Sequence, residues 1–138
     1  MSPSSHTSSL LEKGSALYNA LGTGDVATLE QLLSEDFQGR LTEGLPQGFG
    51  RSVYSGRDAM LNDGWGSIGA FFDMRPEVER MIDGGDTLVG MGSYVGTAKP
   101  TGKDVRAAFA HFWTYDGEHF TGVRQVTDSA LWERALNG

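Results

Sequence analysis

Phe109-Ala110-His111-Phe112-Trp113-Thr114-Tyr115, then Asp116-Gly117, then Glu118 through Thr127, sets two aromatic and β-branched runs on either side of an Asp-Gly pair. Asp-Gly favours a tight hairpin turn, because the central residues of such a turn need positive φ. The stretch therefore reads as a β-hairpin. His111 lies five residues ahead of Asp116 and so belongs to the body of the sheet. It is the one group there whose ordinary charge change falls near neutral pH.

Working outward, residues 77–82, 87–98, 104–115 and 118–127 all have strand composition, separated by Asp83-Gly84-Gly85-Asp86, Lys99-Pro100-Thr101-Gly102-Lys103 and Asp116-Gly117. Connections this short imply antiparallel neighbours. Helices come first. Ser9 and Glu12 form a capping box ahead of an apolar face of Leu10, Leu11, Leu17, Tyr18 and Leu21, and Gly22-Thr23-Gly24 ends that helix. Asp25 caps a second helix carrying Val26, Leu29, Leu32 and Leu33. The segment 38–54 is loop-rich, with one short strand expected near Arg40 to Glu43. Ser55 and Asp58 open a third helix with Leu61, Trp65, Ile68 and Phe72 on one side. Gly64, Gly66 and Gly69 each cost that helix about 1 kcal/mol relative to Ala. They imply a bend, or close approach by another backbone. Helices followed by an antiparallel meander make an α+β fold: a strongly curved antiparallel sheet wrapped around three N-terminal helices, a cone whose mouth can hold a pocket.

A chain of 138 residues is one domain of ordinary size. Residues 1–9 are Ser/Thr-rich and read as a disordered tail; 10–138 form the domain. That first stretch lacks the basic and apolar segments of a secretory leader, so the expected location is cytoplasmic. There is no cysteine, which removes disulfide and thiolate chemistry. A net charge of −7 without a basic stripe argues against nucleic acid and anionic membranes as partners. His6, His111 and His119 show no metal-ligand spacing, so no metal site is expected. Gly96 to Lys103 has five residues between its glycines and Asp104 after the lysine, so it is no phosphate loop. Gly22-Thr23-Gly24 follows a helix and is no dinucleotide fingerprint. No Gly-x-Ser-x-Gly elbow is present.

One ordered set of residues carries a resemblance. Gly24-Asp25 leads into Leu32-Leu33-Ser34-Glu35-Asp36-Phe37, then Tyr54-Ser55-Gly56-Arg57-Asp58-Ala59, His111-Phe112-Trp113, Asp116-Gly117 and Gln125-Val126-Thr127-Asp128. From Leu10 onward the chain resembles the nuclear-transport-factor-2-like superfamily, and within it the SnoaL-like polyketide cyclases and ketosteroid-isomerase-related proteins. The resemblance implies a cone-shaped α+β barrel, a homodimer formed through the sheet, and an apolar pocket. It also implies chemistry that often needs no cofactor and is ring-forming, isomerising, dehydrating or epoxide-opening; family membership speaks more firmly for fold than for function.

Carried over residue by residue, the resemblance is incomplete. Cyclases of this type pair a histidine with an acid–base aspartate fourteen positions later, and that place after His111 is Gln125, which cannot shuttle a proton. Ketosteroid isomerases carry an oxyanion-stabilising aspartate near His111 and a first-helix tyrosine about one residue from Tyr18, an offset of about 100°. Their catalytic base falls near Leu41 or Thr42, neither of which is a base; Glu43 is the nearest carboxylate.

His111 is the leading candidate for chemistry, since imidazole titrates near pH 6.5. The competing reading is a neutral core histidine among Phe109, Phe112 and Trp113. Hairpin register decides its partners. A two-residue turn sets 111 opposite 122 and puts Arg124 on its face; one extra residue pairs 109 with 125 and brings Gln125 there. The cyclase-like spacing favours Gln125. In either register Asp128 lies five or six residues along from His111, roughly 17–20 Å away. It reads as a structural carboxylate. Tyr18, Trp65, Trp113, Tyr94 and Phe72 either line a pocket or fill core, with Trp65, among glycines, the strongest pocket candidate.

Two functions follow. In the first, a cofactor-independent enzyme acts on an apolar, oxygenated, polyketide- or steroid-like small molecule, with His111 moving a proton and Gln125 and Tyr18 binding oxygen. In the second, the pocket only binds a small molecule, or the fold serves as a scaffold dimer; Gln125 in place of aspartate motivates it.

Overall fold

Along β5 (Asp104–Tyr115) burial alternates, with Val105, Ala107, Phe109, His111 and Trp113 inward and their even-numbered neighbours turned outward. This alternation puts the histidine on the core face. The computed structural model describes residues 3–137; Met1, Ser2 and Gly138 lie outside. Three long strands, β3 (Phe72–Asp83), β4 (Thr87–Ala98) and β5, form an antiparallel meander that continues into β6 (Phe120–Thr127). Two further strands, β1 (Leu33–Arg40) and β2 (Val53–Ser55), complete a six-stranded sheet in the order β2-β1-β6-β5-β4-β3.

The fold is α+β as the pattern of elements implies, with one pair, β1 and β6, running parallel. Most of the domain separates those two strands, so no short connection forces them antiparallel. β1 lies earlier than the strand expected near Arg40 to Glu43. Leu33 takes extended geometry at the end of α2 (Val26–Leu32), and Leu33, Phe37 and Gly39 then point inward.

Curvature is built into β3 and β4. Their register slips between Val78 and Arg80, a bulge that sharpens twist. At Gly92 an added Cβ would overlap the Glu77 carbonyl across the pair, so only glycine lets the strands close here.

Helix α1 (Pro3–Thr23) packs against β3 and β4 and buries Leu10, Leu17, Tyr18 and Ala20. It starts at Pro3, ahead of the Ser9 capping box; proline suits a first helical position because it has no N–H to leave unpaired. The expected third helix divides into α3 (Arg57–Ala59), a wide turn over Met60–Gly64, and α4 (Trp65–Phe71), while Phe72 opens β3. At Gly64 the close neighbour is the Met60 side chain, not a second backbone.

A helix that strand composition did not anticipate, α5 (Ser129–Asn137), follows β6. Its Trp132 is fully buried, meets Tyr94 and Phe72 edge-on at 5.0 and 5.2 Å, and donates its indole N–H to Thr127 Oγ1 at 3.1 Å. The apolar spacing of Leu131, Trp132, Ala135 and Leu136 is its sequence signal.

Candidate active site

Hairpin register assembles the site. His111 pairs with Gln125, Trp113 with Val123 and Tyr115 with Phe120. The turn is longer than either alternative considered from sequence, spanning residues 116–119. The Asp116 carboxylate accepts from the backbone N–H groups of Glu118 and His119 at 2.9 and 2.7 Å, which holds this wider loop. A register shift beside Tyr115 supplies the rest of the difference. Gln125 therefore reaches the His111 face, and Arg124 is exposed on the outer face opposite Phe112.

A second register brings in Tyr94. β4 pairs with β5 so that Gly90 stands opposite His111, and Tyr94 faces inward four residues along the same strand. From α1 comes Tyr18, whose hydroxyl lies where a Cβ on Gly90 would sit. The one-residue offset from the isomerase-like tyrosine thus does not turn Tyr18 away from the site.

These side chains form one hydrogen-bonded chain. Trp113 Nε1 donates to Tyr18 Oη at 2.9 Å, and Tyr18 Oη lies 2.8 Å from His111 Nδ1. His111 Nε2 lies 2.6 Å from Tyr94 Oη, which accepts from Gln125 Nε2 at 2.7 Å. Gln125 Oε1 accepts from the Thr42 backbone N–H at 3.1 Å, which fixes the amide orientation. Thr42 Oγ1 donates to the Gln125 carbonyl and accepts from Thr127 N, each at 3.0 Å, clipping the end of β1 to β6.

Proton counting assigns the rest. Burial pushes the His111 pKa down to about 3, so the ring is neutral near pH 7, with one N–H and one acceptor nitrogen. It donates to one tyrosine and accepts from the other. Whichever tyrosine receives the imidazole N–H already accepts a second hydrogen bond, and its own O–H has no acceptor within this chain of groups. At Tyr18 that spare proton would be buried against β4, at a cost of about 1–3 kcal/mol. At Tyr94 it meets a cavity. The favoured tautomer carries the proton on Nε2, with Tyr18 donating to Nδ1. Burial pushes both phenol pKa values up, only partly offset by the Trp113 and Gln125 hydrogen bonds, so both hydroxyls keep their protons.

The cavity has a volume of about 250 Å³. Tyr94 and His111 form its polar patch. Leu21 and Leu29, then Trp65 and Ile68 of α4, then Phe72, Met74 and Pro76 supply apolar walls, and Gly24, Gly66 and Gly69 also border it. His111 is stacked on Phe109, ring centroids 4.2 Å apart.

Of the residues expected from sequence, His111, Tyr18, Trp113 and Gln125 come together and Trp65 lines the cavity. Trp113 acts on Tyr18 and does not border the cavity. Glu43 is exposed on the loop after β1 and Asp128 is exposed between β6 and α5, so neither carboxylate joins the site. Tyr94 as a direct histidine partner and Thr42 as the Gln125 anchor went unforeseen. Gly90 inside β4 signals a close approach to that face, but the group that makes it is Tyr18, so it pointed to neither residue. Among the described residues no three or more His, Asp or Glu side chains converge as metal ligands, and both nitrogens of His111 are engaged.

Comparison with known proteins agrees with this architecture. Residues 15–123 match a family model described as a SnoaL-like domain. No curated protein matches the sequence. An NTF2-like protein of unknown function from Burkholderia pseudomallei superimposes with a TM-score of 0.82 at 20% identity, covering 93% of this chain and 97% of its own. IdmH from Streptomyces antibioticus, described as a proposed polyketide cyclase, gives 0.76 at 20% identity, with 92% and 97% covered. TerC, co-crystallised with polyporic acid, gives 0.80 at 17% identity, with 93% and 98% covered.

Proposed function

This chain belongs to the SnoaL-like domain family, and on that premise we propose that it is a cofactor-independent enzyme acting on an apolar, oxygenated small molecule. Cyclisation, isomerisation or dehydration of a polyketide-like compound is the class of reaction. The observation that carries this reading is the Tyr94 hydroxyl at the wall of a largely apolar cavity, bonded on its inner side to His111 and Gln125.

Placed against Tyr94, a substrate carbonyl accepts its O–H. As negative charge builds on that oxygen, the donor acts in a site of low dielectric, where such bonds are worth most. His111 Nε2–H and Gln125 Nε2–H both point at Tyr94 Oη and stabilise the charge that the phenolic oxygen takes on. His111 is then a neutral positioning group, not an imidazolium acid. Tyr18 and Trp113 hold its other nitrogen. Among the cavity-lining side chains there is no carboxylate to take a C–H proton, so the nucleophile is a substrate enol, whose O–H proton ends on the carbonyl oxygen that Tyr94 stabilises.

Tyr94→Phe is expected to lower turnover of cyclic or polyketide-like ketones about 100-fold or more, the scale of one lost oxyanion donor. Full turnover in a folded Tyr94→Phe or His111→Ala protein refutes the mechanism. A binding protein is the second reading, favoured by Gln125 at the place of the cyclase aspartate. Native mass spectrometry of the freshly expressed protein separates them: a ligand released unchanged supports binding, and product from a supplied ketone supports catalysis.

The same proposal takes residues 10–138 as one domain and the outer sheet face, where Phe112 and Val126 are exposed, as the surface for a homodimer. Sedimentation of wild type against Phe112→Glu tests the dimer.

A further inference from the structure

We propose that Gln125 makes the cavity selective for ketones over the corresponding alcohols, by occupying Tyr94 so that it can donate but not accept. This rests on the reading of the cavity as a ligand site given above, and adds what that ligand must carry.

A phenolic oxygen has two acceptor positions and one proton. Gln125 Nε2 takes one position at 2.7 Å. His111 Nε2, 2.6 Å away, takes the other in the tautomer that leaves no buried proton at Tyr18. What remains to Tyr94 is the O–H. No other oxygen-bearing side chain lines the cavity, and both His111 nitrogens are engaged. A ligand carbonyl, which only accepts, therefore completes the site. A ligand hydroxyl could accept from Tyr94 but would find no side-chain oxygen to take its own proton.

Thr42 sets this selectivity. Its backbone N–H holds Gln125 Oε1, so the amide turns its NH₂ toward Tyr94 and cannot flip without setting that NH₂ against the Thr42 N–H. A carboxylate at this position would do the reverse, accepting the Tyr94 proton and leaving a lone pair for the ligand. Glutamine rather than a carboxylate at this position thus sets what kind of oxygen the pocket accepts. Size adds a second limit: about 250 Å³ lies just under the range typical of drug-sized ligands, which suits one or two rings.

The matched probes are 1-indanone and 1-indanol, titrated into the full chain while the methyl resonances of Leu29, Ile68 and Met74 are followed by NMR. The ketone is expected to bind about 5- to 100-fold more tightly, the cost of one buried hydroxyl without a partner. Tyr94→Phe should weaken binding of both compounds, because it removes the one donor they share. Gln125→Met, which leaves the cavity walls in place, should free a lone pair on Tyr94 and improve alcohol binding relative to ketone. Equal or tighter binding of 1-indanol by wild type overturns the selectivity while ligand binding stands. An unchanged ratio in folded Gln125→Met overturns the role of Gln125. If neither compound shifts the cavity methyls, the ligand-site reading itself falls, and the selectivity with it.

Discussion

Two glutamines are buried in this protein, Gln47 at 1% and Gln125 at 4% exposure, and their surroundings treat them in opposite ways. Gln125 stands on β6 in register with His111, and both ends of its amide are bonded. Gln47 sits in the short turn Pro46–Gly48, and among the described residues neither its Oε1 nor its Nε2 has a partner. A strand in a defined register aims every side chain, so a polar group there can be met by others placed as firmly. The turn at Gln47 is held by its backbone instead, through Gly48 N to the Leu45 carbonyl at 3.3 Å, while Phe49 takes left-handed geometry at φ 50°. Nothing in that arrangement directs the amide toward a partner.

The largest effect that tests this contrast comes from the centre of the bonded network. His111→Leu keeps much of the volume but leaves both tyrosine hydroxyls without their shared partner. It should cost about 2–5 kcal/mol, read from urea unfolding midpoints. Acid tests the same centre without a mutation. The folded state holds His111 neutral with a pKa of about 3, whereas the unfolded chain takes up a proton below about 6.5. Between those values the unfolded state binds one more proton, so stability falls as pH falls, by about 1.4 kcal/mol per unit. From pH 6.5 to 5 the loss should be about 2 kcal/mol, and His111→Leu should abolish that slope. A slope that persists in the variant would assign it to other groups.

The two regions were also unequally legible. Aromatic and β-branched runs around Asp116-Gly117 reveal the hairpin, and the aromatic neighbours of His111 announce a buried ring. Register is harder to read, because it depends on the Asp116 carboxylate capping two backbone amides, and such caps do not show in an apolar pattern. Tyr94 was unreadable as a histidine partner for the same reason. The connection between Ala98 and Lys103 sets whether Tyr94 or its neighbour faces inward, and one residue reverses the answer. Thr42 acts largely through its backbone N–H, which every residue but proline shares, so its identity carries little signal. Helix α5 was hidden by the strand-rich run before it.

The sharpest form of the comparison makes the same substitution at both glutamines. At Gln125, methionine removes an amide that satisfies Thr42 N–H and donates to Tyr94, so partners are left unpaired and stability should drop by about 1–3 kcal/mol. At Gln47, methionine of similar length replaces an amide with no partner to lose, and the desolvation cost of both amide atoms disappears. Stability should rise there, by about 1–3 kcal/mol, with the change appearing as a higher denaturant midpoint at constant slope. Opposite signs at two equally buried glutamines would show that register, not burial, decides whether a polar side chain supports this fold. Destabilisation at both positions would mean that Gln47 has a partner after all, and the contrast between the two regions would lose its basis.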